Sequence, residues 1–267
     1  MTSYGVRSTG SKGDVVTGEG PGADPAGMMA LLWRDAAAVP RRGPTRRLDV
    51  GAVVTAAISL ADADGLDAVT MRAVARAATT APMTLYTYVP GRAELLDLML
   101  DQVLLQMSRT DTGGQPWRAR ATAVAQDNLA LHDTHPWTLQ IAPLRPVLGP
   151  GSIGKYEQEL GAFDGLGLTD VLMDDCLTYL LSFVRSAAQL RVESIRNRQD
   201  SGMDDAQWWA RHGPQLARVF DPRRYPRAGR VGSTAGAAHQ SALDPDHAYR
   251  FGLRRTLAGL AELIGSD

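Results

Sequence analysis

Cysteine is nearly absent: Cys176 stands alone, which excludes an intrachain disulfide and a metal site built from several thiolates. Aromatic residues make up only 6% of the 267 residues, while alanine and leucine are abundant, a balance that favours helices. No run of 18 apolar residues exists, and the chain does not open on the charged start and apolar stretch of a signal peptide, so a cytoplasmic protein without membrane association is expected. Excess charge is also missing. A formal charge of −1 means the protein as a whole is no polycation that would coat nucleic acid. The distribution says more: from Arg41 to Arg92 seven arginines (41, 42, 46, 47, 72, 76, 92) face four aspartates (49, 62, 64, 67), so this stretch is +3 and the remainder −4. Nor is there a set of nucleophile, base and orienter, or a phosphate-binding loop. Asp174 and Asp175 are the only adjacent acidic pair on the longest helical stretch, and successive helical residues diverge in direction. An enzyme is not expected, and no cofactor is implied.

What is present is 44% hydrophobic sequence, enough for one or two domains with a sizeable core. Its informative centre is Thr70 to Val89. Met71, Val74, Ala75 and Ala78 form one side of a short helix, with Arg72 and Arg76 on the other. The stripe breaks at Thr79, Thr80 and Ala81, and Pro82 fits only the first turn of a following helix because it has no N–H to donate. A second short helix over Pro82–Val89 is expected. Two short helices joined by such a turn make a helix-turn-helix whose second helix can lie in a major groove. Upstream, apolar residues at 50, 53, 54, 57, 58, 60 and 61 mark a helix that Asp49 caps and Asp64-Gly65 stops. Downstream, Pro90-Gly91-Arg92 opens a helix burying Leu95, Leu96, Leu98, Met99, Val103 and Leu104, with Glu94 at the positive end of its dipole.

These residues carry a resemblance. Leu48-Asp49, Ala56-Ala57 with Leu60, Gly65-Leu66, Val69-Thr70-Met71-Arg72 with Val74-Ala75, Thr84-Leu85-Tyr86 with Tyr88-Val89, and Arg92 with Glu94-Leu95-Leu96 together resemble the DNA-binding domain of the tetracycline-repressor (TetR) family over roughly residues 46–107. Thr79 replaces the glycine commonly found in that family's turn, and Pro90-Gly91 stands where many members have a basic residue and asparagine. Both bear on the angle of the recognition helix and thus on sequence preference. The resemblance implies an all-α chain with a helix-turn-helix domain, 46–107, and a helical effector-binding and dimerisation domain, 108–267; composition makes residues 1–45 a disordered or loosely docked N-terminal extension with a basic end. The resemblance places Arg72 at the start of the second helix and Ala81 to Tyr88 plus Arg92 against the groove of double-stranded DNA. Thr70 joins that expected interface. Arg72 and Arg92 are assigned to phosphates, with a guanine as the alternative for Arg72. Thr84 and Thr87 can donate or accept, and Ala81, Pro82 and Met83 offer apolar contact to thymine methyls. Tyr86 and Tyr88 either hold phosphates through their hydroxyls or pack between helices. Arg46 and Arg47 end a stiff basic linker, Pro40 to Arg47, from which an arm can reach phosphates or the minor groove unless it is simply solvated.

Outside this region the pattern is looser. Residues 1–27 have few large apolar side chains and read as disordered, and Met28 to Trp33 reads as a short docked helix or a partner contact. Helices are expected from Pro116 to His132, over Trp137–Ala142, over Ser152–Leu160, from Thr169 to Arg198, and over Asp204–Phe220. Asp221 to Leu243 reads as a long mobile loop, and a last helix follows Asp244-Pro245. The wide apolar faces of the 169–198 and 245–265 helices point to a homodimeric four-helix bundle, which the resemblance also implies. Recognition helices in such a dimer are about 34 to 36 Å apart.

A small-molecule effector is expected among Trp117, His132, Trp137, Met173, Cys176, Tyr179, Phe183 and Trp208, with core packing as the alternative for each. His132 and His135 are three apart, but Pro136 follows at once and only two ligands cluster, so no metal is expected. Met107-Ser108-Arg109-Thr110 has no counterpart of the namesake's histidine-bearing segment, so tetracycline is not the expected ligand. The expected function is a ligand-responsive repressor that leaves a palindromic operator when effector binds. A ligand-independent or partner-controlled DNA-binding regulator, using the N-terminal extension, is the alternative.

Overall fold

The computed structural model describes residues 24–34, 49–141, 146–239, 241 and 243–264. Every regular element among them is helical. The chain divides into two compact units, one of Met1–Gln102 with Gln140–Gly149 and one of Val103–Leu139 with Pro150–Asp267.

In the first unit α1 covers Pro25–Leu32, α2 Val50–Asp64, α3 Met71–Ala77 and α4 Pro82–Leu85; a 3₁₀ turn, Leu66–Ala68, lies between α2 and α3. The Asp49 carboxylate accepts from Ala52 N at 2.7 Å and Gly65, at φ 82°, ends α2. Thr70 Oγ1 caps α3 by accepting from Ala73 N at 3.1 Å. α3 packs between α2 and α4. Helix α4 is only four residues long, shorter than the Pro82–Val89 helix expected; Thr87 and Tyr88 continue it as turns whose N–H groups reach Thr84 O and Leu85 O. So short a helix does not pay for its own nucleation. It is held by Leu85 and Val89, both fully buried, each stabilising by about 1.5–3 kcal/mol. Helix α5, Arg92–Gln106, begins in this unit, where Leu95, Leu96, Leu98 and Met99 are buried, and runs on into the second. In α1 only Leu32 is buried, and the Trp33 indole N–H donates to Leu148 O at 2.9 Å.

The second unit holds α6 (Trp117–Thr134), a 3₁₀ turn (Pro136–Leu139), α7 (Pro150–Leu160), α8 (Asp170–Ser201), α9 (Asp205–Val219), α10 (Pro226–His239) and α11 (Pro245–Ile264). Its core forms where α6, α8 and α11 pack together, around Trp117, Ala121, Ala125, Leu177, Leu180, Val184, Leu253 and Leu257. Thr169 caps α8 through Leu172 N, and Gly202 in the left-handed region ends it. At 1.5 Å per residue its 32 residues span roughly 48 Å.

Two expectations need correction here. Residues 226–239 are not a loop but α10, which Pro226 starts and which buries none of its residues. Its glycines misled the reading because each costs about 1 kcal/mol relative to alanine in a helix. Gly229 has a packing reason: a Cβ there would stand 3.2 Å from the Phe220 ring. The helix expected over Trp137–Ala142 is instead the 3₁₀ turn Pro136–Leu139. No helix among the described residues is long and apolar enough to cross a membrane.

Candidate nucleic-acid interface

The turn between α3 and α4 is a Schellman arrangement. Thr80 N donates to Ala75 O at 2.9 Å and Thr79 N to Arg76 O at 3.1 Å, closing two carbonyls that the helix itself leaves free. The residue at its pivot is Thr79, with φ 54°, the one non-glycine residue at positive φ among those described. The missing glycine therefore does not change the turn type; a β-branched residue is held in the left-handed region at a cost in strain.

Beyond the turn, Ala81 stands at the N-cap of α4 and Pro82 at its first position. Leu85 and Val89 point inward, so Ala81, Pro82, Met83, Thr84, Tyr86 and Thr87 are turned outward. Met83 is 78% exposed and Tyr86 47%, so both side chains are open to a partner. Tyr88 is half-buried. The Thr87 hydroxyl donates to Thr84 O at 2.6 Å, so towards a ligand it can only accept. Arg72 and Arg76 are exposed and form no ion pair among the described residues. The contiguous face thus offers two free guanidinium groups, hydroxyls and apolar tips, the mixture that phosphates and base edges require.

Arg92, expected on a phosphate, has partners within the protein. Its Nε donates to Val69 O at 2.8 Å and one terminal nitrogen to Leu66 O at 3.0 Å. It therefore ties the start of α5 to the segment that precedes α3. Thr70 likewise has a local task, capping α3. Arg46 and Arg47 lie outside the described residues.

In the second unit the eight residues expected around an effector occupy different surroundings. Trp117 and Cys176 are buried in the α6–α8–α11 core, with Met173 and Phe183 packed against it; Phe183 stacks on Tyr249 with centroids 5.9 Å apart. Burial, followed by the Asp175 carboxylate, pushes the Cys176 thiol pKa up, so the thiol stays protonated. Trp137 is also buried, and meets His135 edge-on at 5.8 Å. Tyr179 is exposed in a groove that it lines with Leu172, Cys176, Leu260 and Leu263. Trp208 lies on α9, which buries nothing, against Trp209 and His212.

His132 belongs to a polar group inside the domain. The Thr138 hydroxyl gives its only proton to His135 O at 2.7 Å, so in the 2.8 Å contact with His132 Nδ1 it must accept. The imidazole is then the Nδ1–H tautomer. Burial first, then Arg185 and Lys155, lower its pKa to about 4, so it is neutral. Nearby, buried Asn128 donates to Glu159 Oε1 at 2.5 Å, and Lys155 holds the other Glu159 oxygen at 2.6 Å. Arg185 donates to Leu139 O. Sequence reasoning missed this group; the one legible trace is Lys155 and Glu159 at i, i+4, a spacing usually found on solvated faces.

Residues 53–99 match the family model described as bacterial regulatory proteins of the tetR family, and residues 110–264 match the tetracyclin repressor-like C-terminal domain. The chain is 38% identical over 259 residues to the HTH-type transcriptional repressor DrrR1 of Streptomyces coeruleorubidus, covering 96% of this chain and 93% of that protein. Among solved structures it is similar to the TetR family protein ActR of Streptomyces coelicolor. With ActR bound to actinorhodin the TM-score is 0.67 at 26% identity, covering 82% of this chain and 98% of the other. With ActR bound to (S)-DNPA it is 0.65 at 26% identity, covering 83% and 100%.

Proposed function

The chain belongs to the tetracycline-repressor family of bacterial transcriptional regulators, and on that premise we propose that it is a DNA-binding repressor released from its operator by a small molecule. The observation that carries the DNA-binding half is the outward row Ala81 to Thr87, held rigidly from beneath by Leu85 and Val89. Arg72, Arg76 and the Tyr86 hydroxyl take phosphates; Met83, Thr84 and Thr87 face the bases. With few arginines on the recognition helix, DNA shape contributes to specificity. The ligand half is supported by the likeness to ActR, a relative solved with actinorhodin and with (S)-DNPA. The chemistry is binding, not turnover.

The operator-bound form is a homodimer. The apolar groove between α8 and α11, with Val171, Tyr179 and Leu263 exposed beside it, supplies the face that a second copy covers. Effector favours a conformer in which α5, covalently continuous between the two units, has shifted, and the two recognition helices of the dimer then no longer match successive major grooves.

The test is binding of purified protein to DNA from upstream of its own gene and its neighbours, titrated against salt beside a scrambled duplex. A preference of about a thousandfold for one duplex is expected. Uniform weak binding that vanishes with salt refutes sequence recognition by this face.

A further inference from the structure

A cavity of about 200 Å³ opens in the second unit between the segment after α5, the body of α6 and the end of α7. Two arginines and two carboxylates line it, and every carboxylate oxygen already has a donor. Asp127 accepts from the Thr110 N–H and hydroxyl, both at 2.8 Å. Glu159 is held by Asn128 and Lys155. Arg109, by contrast, has a single hydrogen bond among the described residues, from one terminal nitrogen to Leu104 O at 2.9 Å. Arg120 donates to Gly161 O at 2.7 Å and Asp164 O at 3.2 Å. Neither arginine has a carboxylate partner among the described residues, and the Nε of each is buried without an acceptor. Each Nε is closed off from a ligand, so the donor capacity open to one lies on the terminal nitrogens, above all the second terminal nitrogen of Arg109, and the planar guanidinium suits a carboxylate.

We propose that this cavity is an effector subsite for a small organic carboxylate, which pairs with Arg109 and lays its apolar body against Met107 and Val124. The inference rests on the ligand-responsive reading above and gives that ligand a chemical class. The volume is below the roughly 300 Å³ at which drug-sized pockets begin, so the occupant is of single-ring size. Arg109 also supplies the link to DNA binding. Leu104 O is among the last carbonyls of α5, which have no partner within the helix. A carboxylate that recruits the Arg109 fork takes that cap away and loosens the last turn of the helix whose first residue, Arg92, clamps Leu66 and Val69.

Calorimetry of the full chain at fixed ionic strength, with benzoate and with benzamide and benzylamine as neutral and cationic isosteres, reads the site without DNA. Benzoate alone is expected to bind, about tenfold more weakly in Arg109→Gln. In Arg109→Lys, which keeps the charge but loses the fork, the loss is smaller. Equal binding of benzoate and benzamide, no benzoate binding at millimolar concentration, or an Arg109→Gln chain that is folded by circular dichroism and titrates like the unsubstituted one overturns the site. In a second arm, benzoate weakens operator binding by the unsubstituted chain and not by Arg109→Gln; benzoate binding through Arg109 with operator affinity unmoved overturns the link to α5. A chain that takes benzoate as expected but prefers no duplex refutes the regulator reading and leaves the site standing.

Discussion

Thr79→Gly should stabilise the helix-turn-helix, although glycine substitutions usually do the opposite. Thr79 sits at φ 54° and is exposed, so replacing it removes no packing and relieves a left-handed threonine. That conformation costs an L-residue about 1–2 kcal/mol. Glycine's greater freedom in the unfolded chain takes back about 0.5–1 kcal/mol, leaving a net gain of about 0.5–1 kcal/mol. The two hydrogen bonds of the turn, Thr80 N to Ala75 O and Thr79 N to Arg76 O, are unchanged because they use backbone atoms only. Amide hydrogen exchange over residues 71–89 is the assay, since it reports local opening of this segment rather than unfolding of the second unit. Exchange of the Thr80 amide is expected to slow by about two- to fivefold. Ala77→Gly, exposed within α3, is the control and should speed exchange by a similar factor. Faster exchange in Thr79→Gly would show that the threonine is unstrained or makes a compensating contact, and the assignment of the turn would fall. Operator affinity should be unaffected, because the angle of α4 is set by the turn and by Leu85 rather than by the Thr79 side chain.

Arg92→Gln distinguishes a tie from a phosphate contact: loss of its bonds to Leu66 O and Val69 O should destabilise the first unit by about 3 kcal/mol while the dependence of log K on log salt keeps its slope. A slope reduced by about 0.9 with unchanged stability would restore the phosphate role. Gly252→Ala places a Cβ 2.3 Å from the Phe183 ring where α11 crosses α8; despite the better helix propensity, the thermal midpoint should fall, by overpacking of about 1–2 kcal/mol. An unchanged or higher midpoint would mean the Phe183–Tyr249 stack yields freely. Because His132 titrates at about 4 when folded and at 6.5 ordinarily, the unfolded chain binds the extra proton first. Stability is then complete above pH 6.5 and falls as pH drops towards 4, by about 2 kcal/mol between pH 7.5 and 5. Urea midpoints across that window should flatten in His132→Gln, and an equally steep fall in the variant would sink the assignment.

The elements were legible where local chemistry decides them. Asp49 caps α2 as its place before the apolar stripe predicted, and Thr169 and Asp204, where helices were expected to begin, cap α8 and α9. The expectation failed at α10, where three glycines outweighed Pro226, because propensity is a weak guide to a segment that packs loosely. At Arg92 it was incomplete in another way. An arginine near a recognition helix reads as a phosphate ligand, and no periodicity tells that the carbonyls of Leu66 and Val69 come within reach of it.

The sequence by itself determined the all-helical class, the helix-turn-helix and the family, since caps, stripes and a proline at the first turn act over a few residues. Only the tertiary structure decided which polar groups meet. The Asn128–Glu159 pair and the cavity at Arg109 join residues far apart in the chain, and the tautomer of His132 depends on how the turn after its helix folds back to bring the Thr138 hydroxyl to it. Such pairings depend on how helices pack, and hydrophobic spacing specifies which face of a helix is inward without specifying which neighbour it meets.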